Sequence, residues 1–500
     1  MALTDAPPDW ARPGGPWDVP SLSTLPPPAI VDGHLRFTST EVNAASDTLA
    51  AVLAGRGCGR DDIVAFHLGN VWPAIVLFHA CWRLGAVALP LHHRLGPDIR
   101  EQLLDRTGAR IVFAAHDLDP PGDAIVVGGA ADEFSMLLTS AAAPPITGPP
   151  NPAATAVLLA TSGSTGSPKL VRHTHRGLHA KARSMVDVHG LRETDVVLMP
   201  APLAHISGLL NGVLLPGHAG MTTILMDRWL PDKALDLIQR EHVSFMIGPP
   251  TFFIDLLADP ACTPEATSSL RLVSCGGSAV TPAFVRATAE RLDAVVKRTY
   301  GSTEAPTIAT SHAGDPPGRG AETDGRAAGE VELRVVVPGT DTEAPTGAVG
   351  ELRVRGPEVF PGYLDAGANA DAFDAAGWFR TGDLAMIDEA GWLSITGRYS
   401  DLIIRGGENV APAAVESACA GLAGVSSLAV VGYPDERLGE RVALIVEGDE
   451  VALDLVTDAC RAAGLPRYAW PERVIAIDVM PRLAAGKPDR NALAALARMA

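Results

Sequence analysis

Thr161–Lys169 reads TSGSTGSPK, directly behind the apolar run ATAVLLA at 154–160. Gly163 and Gly166 let the backbone turn its N–H groups toward an anion, while Ser162, Ser164 and Thr165 add hydroxyl donors. Lys169 adds a full positive charge. The stretch is not a Walker loop, which needs Ser or Thr directly after the lysine and a helix opening there, whereas Pro168 precedes Lys169 and Leu170 follows it. Taken alone, it fits a phosphate cradle or a plain polar turn after a strand.

Outward from that loop, short β-rich runs (DIVAFHLG, AVALPL, RIVFAA, DVVLMP, TTILMD, VSFMIG, RLVSCGG) alternate with helical patterns such as STEVNAASDTLAAVLAGRG and DKALDLIQREH. This rhythm predicts an α/β fold of layered, largely parallel sheets. From about Glu330 the texture becomes β-rich, with hairpins in GEVELRVVVPG, GELRVRG and AMIDEAGWLSITG, the last turning at Glu389–Gly391. After GRYSD the pattern restarts as a small α+β domain. The expected division is a large N-terminal domain with a β-rich subdomain over 1–397, a break at 398–400, and a C-terminal domain over 401–500.

The chain has 500 residues, 47% hydrophobic and 20% charged, enough for a large cored domain plus a smaller one. Its formal net charge of -18 repels nucleic acid and anionic lipid, so no nucleic-acid partner is expected and a phosphate-bearing ligand needs local donors. The six cysteines form no CxxC pair, against a zinc site or disulfide framework and in keeping with a reducing cytoplasm. No export signal is read at the N-terminus, so a cytoplasmic location is expected. The most apolar stretch, VWPAIVLFHACWRLGAVALPL, contains His79 and Arg83 and is punctuated by Pro73 and Gly85. It reads as a buried helix and strand, not an integral membrane segment.

Eight motifs fall in order along the chain: FTSTEVNAASDTLAAVLAGRGCGRDDIVAFHLGN, TSGSTGSPK, PLAHISG, YGSTEA, GELRVRGPEVFPGYL, GWFRTGDLA, GRYSDLIIRGGENVAPAAVE and PRLAAGKPDR. Together they resemble the superfamily of adenylate-forming enzymes, which includes acyl-CoA synthetases, peptide-synthetase adenylation domains and luciferases. The resemblance implies ATP-dependent activation of a carboxylic acid as its acyl-AMP, with Mg²⁺, followed by transfer to the thiol of CoA. By the same resemblance, Thr161, Ser162, Gly163, Ser164, Thr165, Gly166 and Lys169 wrap the nucleotide's phosphates. Thr165 and Glu304 share the metal. In Tyr300–Glu304, Tyr300 stacks on adenine, Gly301 and Ser302 belong with it to the ATP/AMP-binding residues, and Thr303 meets the α-phosphate. Gly276, Gly277 and Ser278 run between adenine and the acyl pocket. Asp383 and Arg398 meet the ribose, Lys487 bridges carboxylate and α-phosphate, and His205 lines the acyl pocket as a gate. Gly406 and Gly407 line a pantetheine tunnel, and Ser400 is the hinge of a mobile lid.

Each assignment has an ordinary structural counterpart: capping residues in YGSTEA, a Thr-Gly-Asp turn at Asp383, a core histidine at 205, a solvated Lys487, and a bulge or turn at the glycine pair. Three departures from the family pattern stand out. Ala485 replaces a Ser or Thr before Gly486, Ser400 stands where relatives carry Asp or Lys, and Ala204 where relatives often carry an aromatic. APLAHISGLLNG holds no acid to pair an α-amino group, so the expected substrate is an apolar fatty, alicyclic or aromatic acid. A ligase that loads a carrier protein and an inactive nucleotide-binding homologue are the alternatives. Oligomeric state is unspecified, a homodimer being one arrangement left open.

Overall fold

The computed structural model describes residues 19–130, 132–139, 149–161, 168–278, 280–482 and 488–499. The chain packs as two units, one of residues 1–333 with 354–379, the other of 334–353 with 380–500.

The alternating runs of the first unit form two sheets. The larger has nine strands and begins with a hairpin of β1 (Ala29–Asp32) and β2 (Leu35–Phe37). The other has six: β3 (Ile63–Leu68), β4 (Val87–His92), β5 (Ile111–Ala115), β6 (Ile125–Val127), β7 (Thr155–Thr161) and β8 (Lys169–Thr174), in the order β6-β5-β3-β4-β7-β8. All its pairings are parallel except the β7–β8 hairpin. The nine-stranded sheet continues with β9 (Val196–Met199), β10 (Thr222–Leu225), β11 (Phe245–Gly248), β12 (Leu272–Gly276), β13 (Val295–Tyr300), β14 (Ala309–Thr310) and β15 (Arg326–Ala327). Its order is β15-β14-β13-β12-β11-β9-β10-β1-β2, parallel from β13 through to β1.

Parallel strands are covered on both faces, which is why they read as unbroken apolar runs: all four residues of β11 are buried. The helix Ser39–Gly55 starts on a reciprocal capping box, Thr38 with Glu41. The Trp72–Leu84 helix is buried nearly all round, with Phe78 edge-on to Phe66 at 4.9 Å, and ends on Gly85 at φ 72°. Among the described residues no helix is long and apolar enough to cross a membrane. Parallel strands leave their carboxyl ends on one edge, the usual ligand edge of such sheets. His92, Thr161, Gly276 and Tyr300 are last residues of their strands.

In the second unit, β16 (Glu332–Val336), β17 (Gly350–Arg355), β18 (Phe379–Ile387) and β19 (Leu393–Arg398) form a four-stranded sheet in chain order. The β18–β19 turn falls at Asp388–Gly391 as the sequence predicts, Gly391 N–H donating to Asp388 O at 2.9 Å. A second sheet holds β20 (Ile403–Arg405), β21 (Glu408–Val410), β22 (Val425–Asp435), β23 (Gly439–Gly448) and β24 (Arg473–Ile477). Because β19 packs against the Pro412–Cys419 helix, the β-rich strands group with the C-terminal residues, and Arg398–Ser400 falls inside this unit.

Candidate active site

The β7–β8 register sets Thr161 opposite Lys169, so the two ends of the 162–168 connection lie side by side at the carboxyl edge. Tyr363 joins them. Its segment runs along β8, with Leu364 N–H donating to Leu170 O at 2.8 Å and an antiparallel bridge between Val171 and Tyr363. Lys169 Nζ lies 4.9 Å from the centre of the Tyr363 ring, and Tyr363 Oη–H donates to Glu304 Oε1 at 2.8 Å. Burial, and then the charge of Glu304, push the phenol's pKa up, so it stays a donor. A cation, an aromatic ring and an oriented carboxylate thus stand in contact, one after the next, at the start of β8. The donor chemistry fits Mg²⁺, which is bound through one or two carboxylates together with substrate phosphates.

The loop that carries Glu304 is held from three sides. Phe360 N–H donates to the Glu304 carbonyl at 2.8 Å. His173 Nε2–H, from the buried face of β8, donates to the Thr303 carbonyl at 2.8 Å, and burial lowers that imidazole's pKa to about 4. Lys181 Nζ donates to Thr307 O at 3.1 Å and Ala328 O at 2.6 Å while paired with Glu358 at 2.6 Å, both side chains buried. Thr307 sits at φ 44°, a left-handed conformation unusual for a β-branched residue and affordable only where neighbours fix it. Gly301 is required by contact: a Cβ there would lie 2.5 Å from Thr307 N. No helix starts at Ser302, whose Oγ instead accepts from Ala305 N–H at 3.2 Å to close a turn.

Gly276, at the end of β12, has no room for a side chain, since a Cβ would lie 2.2 Å from Thr299 O. Gly277 takes φ 81°, and Ser278 is exposed beside it. His205 precedes the Ile206–Leu209 helix. Its imidazole is exposed, yet surrounding protein and then the charge of His93 hold its pKa below the ordinary value.

In the second unit, Asp383 and Arg398 face one another across β18–β19, Arg398 Nε 2.9 Å from Asp383 Oδ1. Asp383 is buried and Arg398 exposed, a carboxylate anchored by a solvent-facing guanidinium. Gly406 and Gly407, at φ 62° and 88°, form the two-residue turn between β20 and β21, so the turn by itself accounts for both glycines. Ser400 is exposed and donates to Asp401 Oδ1 at 3.0 Å. Beside the glycine turn an open groove of about 610 Å³ is lined by Arg405, which is paired with Glu472, and by Glu472, Arg467, Tyr468 and Trp470. Ser162, Gly163, Ser164, Thr165, Gly166 and Lys487 lie outside the described residues.

The AMP-binding enzyme family model matches residues 26–364, and that of the AMP-binding enzyme C-terminal domain matches residues 414–487. The chain belongs to the adenylate-forming superfamily. Among relatives of this adenylate-forming enzyme, a medium-chain fatty-acid–CoA ligase of Escherichia coli is 33% identical over 492 residues, covering 92% of this chain and 86% of that protein. A 3-[(3aS,4S,7aS)-7a-methyl-1,5-dioxo-octahydro-1H-inden-4-yl]propanoyl:CoA ligase of Mycobacterium tuberculosis is 34% identical, covering 93% and 95%. The ATP-bound structure of MatB from Rhodopseudomonas palustris superposes with a TM-score of 0.84 at 28% identity, covering 96% of each chain.

Several residues that hold the cluster around Glu304 together escape a motif reading. Tyr363 lies within GELRVRGPEVFPGYL, but only the fold brings its hydroxyl to Glu304. His173 carried a weak signal, a histidine on the apolar face of the strand after the glycine loop. Lys181 carried another, a lysine on the buried side of the His175–His189 helix.

Proposed function

We propose that the protein is an ATP-dependent, AMP-forming carboxylic acid:CoA ligase acting on an apolar fatty, alicyclic or aromatic acid. The observation that carries this is the Lys169–Tyr363–Glu304 alignment at the carboxyl edge of the parallel strands. Joining a carboxylate to the α-phosphate of ATP brings two anions together, so the site must offset their repulsion with fixed positive charge and donors. In this reading the 161–169 loop and Lys169 hold the phosphates, and Thr303 meets the α-phosphate from a loop fixed by His173. Tyr300 stacks on adenine above Gly301 and Ser302, with Gly276, Gly277 and Ser278 alongside. Asp383 and Arg398 orient the ribose, and Lys487 bridges the two reacting anions. Mg²⁺, held by Glu304 and Thr165, would neutralise the departing pyrophosphate.

His205 lines the acid's entry, and with its depressed pKa it is an uncharged wall at neutral pH. The GPPTFF stretch that the motif order sets near it is uncharged, with Phe252 stacked on Trp229 at 4.4 Å. This composition favours an apolar acid, and the relative named for an indane propanoate supports extending the range to ring-bearing acids. For the thioester step, the lid turns about Ser400 and the Gly406–Gly407 turn guides pantetheine, with Arg467, Tyr468 and Trp470 of the neighbouring groove offering one cation and two ring faces to a nucleotide headgroup. The test is a pyrophosphate-release screen over linear, cyclic and aromatic acids with free CoA or a holo carrier protein as acceptor. The ligase reading predicts acid-dependent release and a CoA thioester detected by mass; acylation of the carrier alone would replace CoA as acceptor.

A further inference from the structure

β4 pairs in parallel with β7, Ala88 opposite Val157, so the same register continued four residues carries His92 level with Thr161, the last residue of β7. His92 is held through both its ring and its backbone. Arg94 N–H donates to Nδ1 at 3.0 Å, and His67 Nε2–H donates to the His92 carbonyl at 3.1 Å. The ring stacks on His93 at 4.5 Å and 21°, and packs against His205 at 5.0 Å and 38°. Because Nδ1 accepts from an amide, hydrogen-bond logic puts the ring proton on Nε2. Burial, then the neighbouring charges of His205, His93 and Arg94, bring its pKa to about 4, so a neutral ring faces His205 and adds no repulsion. Among the described residues no group of three or more His, Cys, Asp or Glu could hold a metal ion.

We propose that His92 is a positioning residue that holds the His205 imidazole against the acid site, so that the pair sets affinity for the acid and not for ATP. This rests on the ligase reading of His205. The contact is between two rings tilted by 38°, and an aromatic replacement preserves it where a small or amide side chain does not.

Two measurements on the full chain test it. In steady-state kinetics, His92→Ala and His92→Asn raise KM for the acid about fivefold to tenfold with KM for ATP within about twofold, and His92→Phe returns most of the loss. In ¹H–¹³C spectra of histidine-labelled protein, the His205 Cε1–H signal, assigned through His205→Asn, moves in His92→Asn and returns toward its original position in His92→Phe. An unmoved His205 signal overturns the proposal. So does a moved signal with unchanged acid KM, or an equal rise in KM for acid and ATP. If the wild-type protein turns over no acid at all, the ligase reading fails, while the spectra still decide whether His92 holds His205.

Discussion

Replacing Tyr363 by Phe removes one hydroxyl and leaves the ring. The aromatic face 4.9 Å from Lys169 is kept, so the cation–π contact survives, and what is lost is the 2.8 Å hydrogen bond to Glu304. A hydrogen bond to a charged acceptor is worth about 1.5–3 kcal/mol. At about 1.4 kcal/mol per decade, kcat/KM for ATP should fall roughly 10-fold to 150-fold. The loss should be specific to the metal step, because the carboxylate freed from the phenol can swing away from the position that a divalent ion shares with the phosphates. The assay is acid-dependent ATP–pyrophosphate exchange at graded Mg²⁺, with Tyr363→Leu as the variant that also loses the ring. The expected result is a higher Mg²⁺ concentration at half-maximal rate in Tyr363→Phe, and a further drop in Tyr363→Leu. An unchanged or lower Mg²⁺ requirement with unchanged kcat/KM would show that the phenol merely packs beside Glu304.

Three further outcomes follow from the same geometry. Lys181→Met leaves Glu358 as a buried unpaired charge and releases the Thr307 carbonyl, so unfolding stability should fall by about 3–5 kcal/mol in denaturant titration; a loss below about 1 kcal/mol contradicts the anchoring role. His173 has a folded pKa of about 4 against an ordinary 6.5, so the unfolded chain binds its proton first as pH falls. Its contribution is complete above about pH 6.5 and lost progressively toward pH 4, roughly 3 kcal/mol in all, and His173→Gln should flatten the stability–pH slope by one proton in that window; parallel slopes would refute it. Lys487→Ala should abolish acyl-AMP formation while sparing thioester formation from supplied acyl-AMP, and equal loss of both half-reactions would contradict that division of labour.

The α/β layering was legible because buried parallel strands write themselves as unbroken apolar runs, and VSFMIG and RLVSCGG became β11 and β12 where the pattern placed them. The turn at Gly391 was legible for a similar local reason. Lys169, Thr303 and Glu304 were marked by motif, and the fold brings Lys169 and Glu304 together through a residue the motif did not mark. Tyr363, His173, Lys181 and His92 act across 59 to 147 residues of chain, by hydrogen bonds or ring contacts that no local spacing encodes. Gly276 and Gly301 were marked in sequence by motif alone, as residues of the nucleotide site. Their need becomes physical only when the neighbouring backbone at Thr299 and Thr307 is seen to occupy the space of a Cβ. The grouping of the β18–β19 strands with the C-terminal residues was likewise invisible, since it depends on the packing of β19 against the Pro412–Cys419 helix.

The most direct measurement is isotope exchange between labelled pyrophosphate and ATP by the wild-type protein, with Mg²⁺ and a panel of linear, cyclic and aromatic acids. Exchange that requires both the metal and an apolar acid, with no response to α-amino acids, is the predicted result. Absence of exchange with every acid, or exchange supported by amino acids alone, would contradict the assignment of this site.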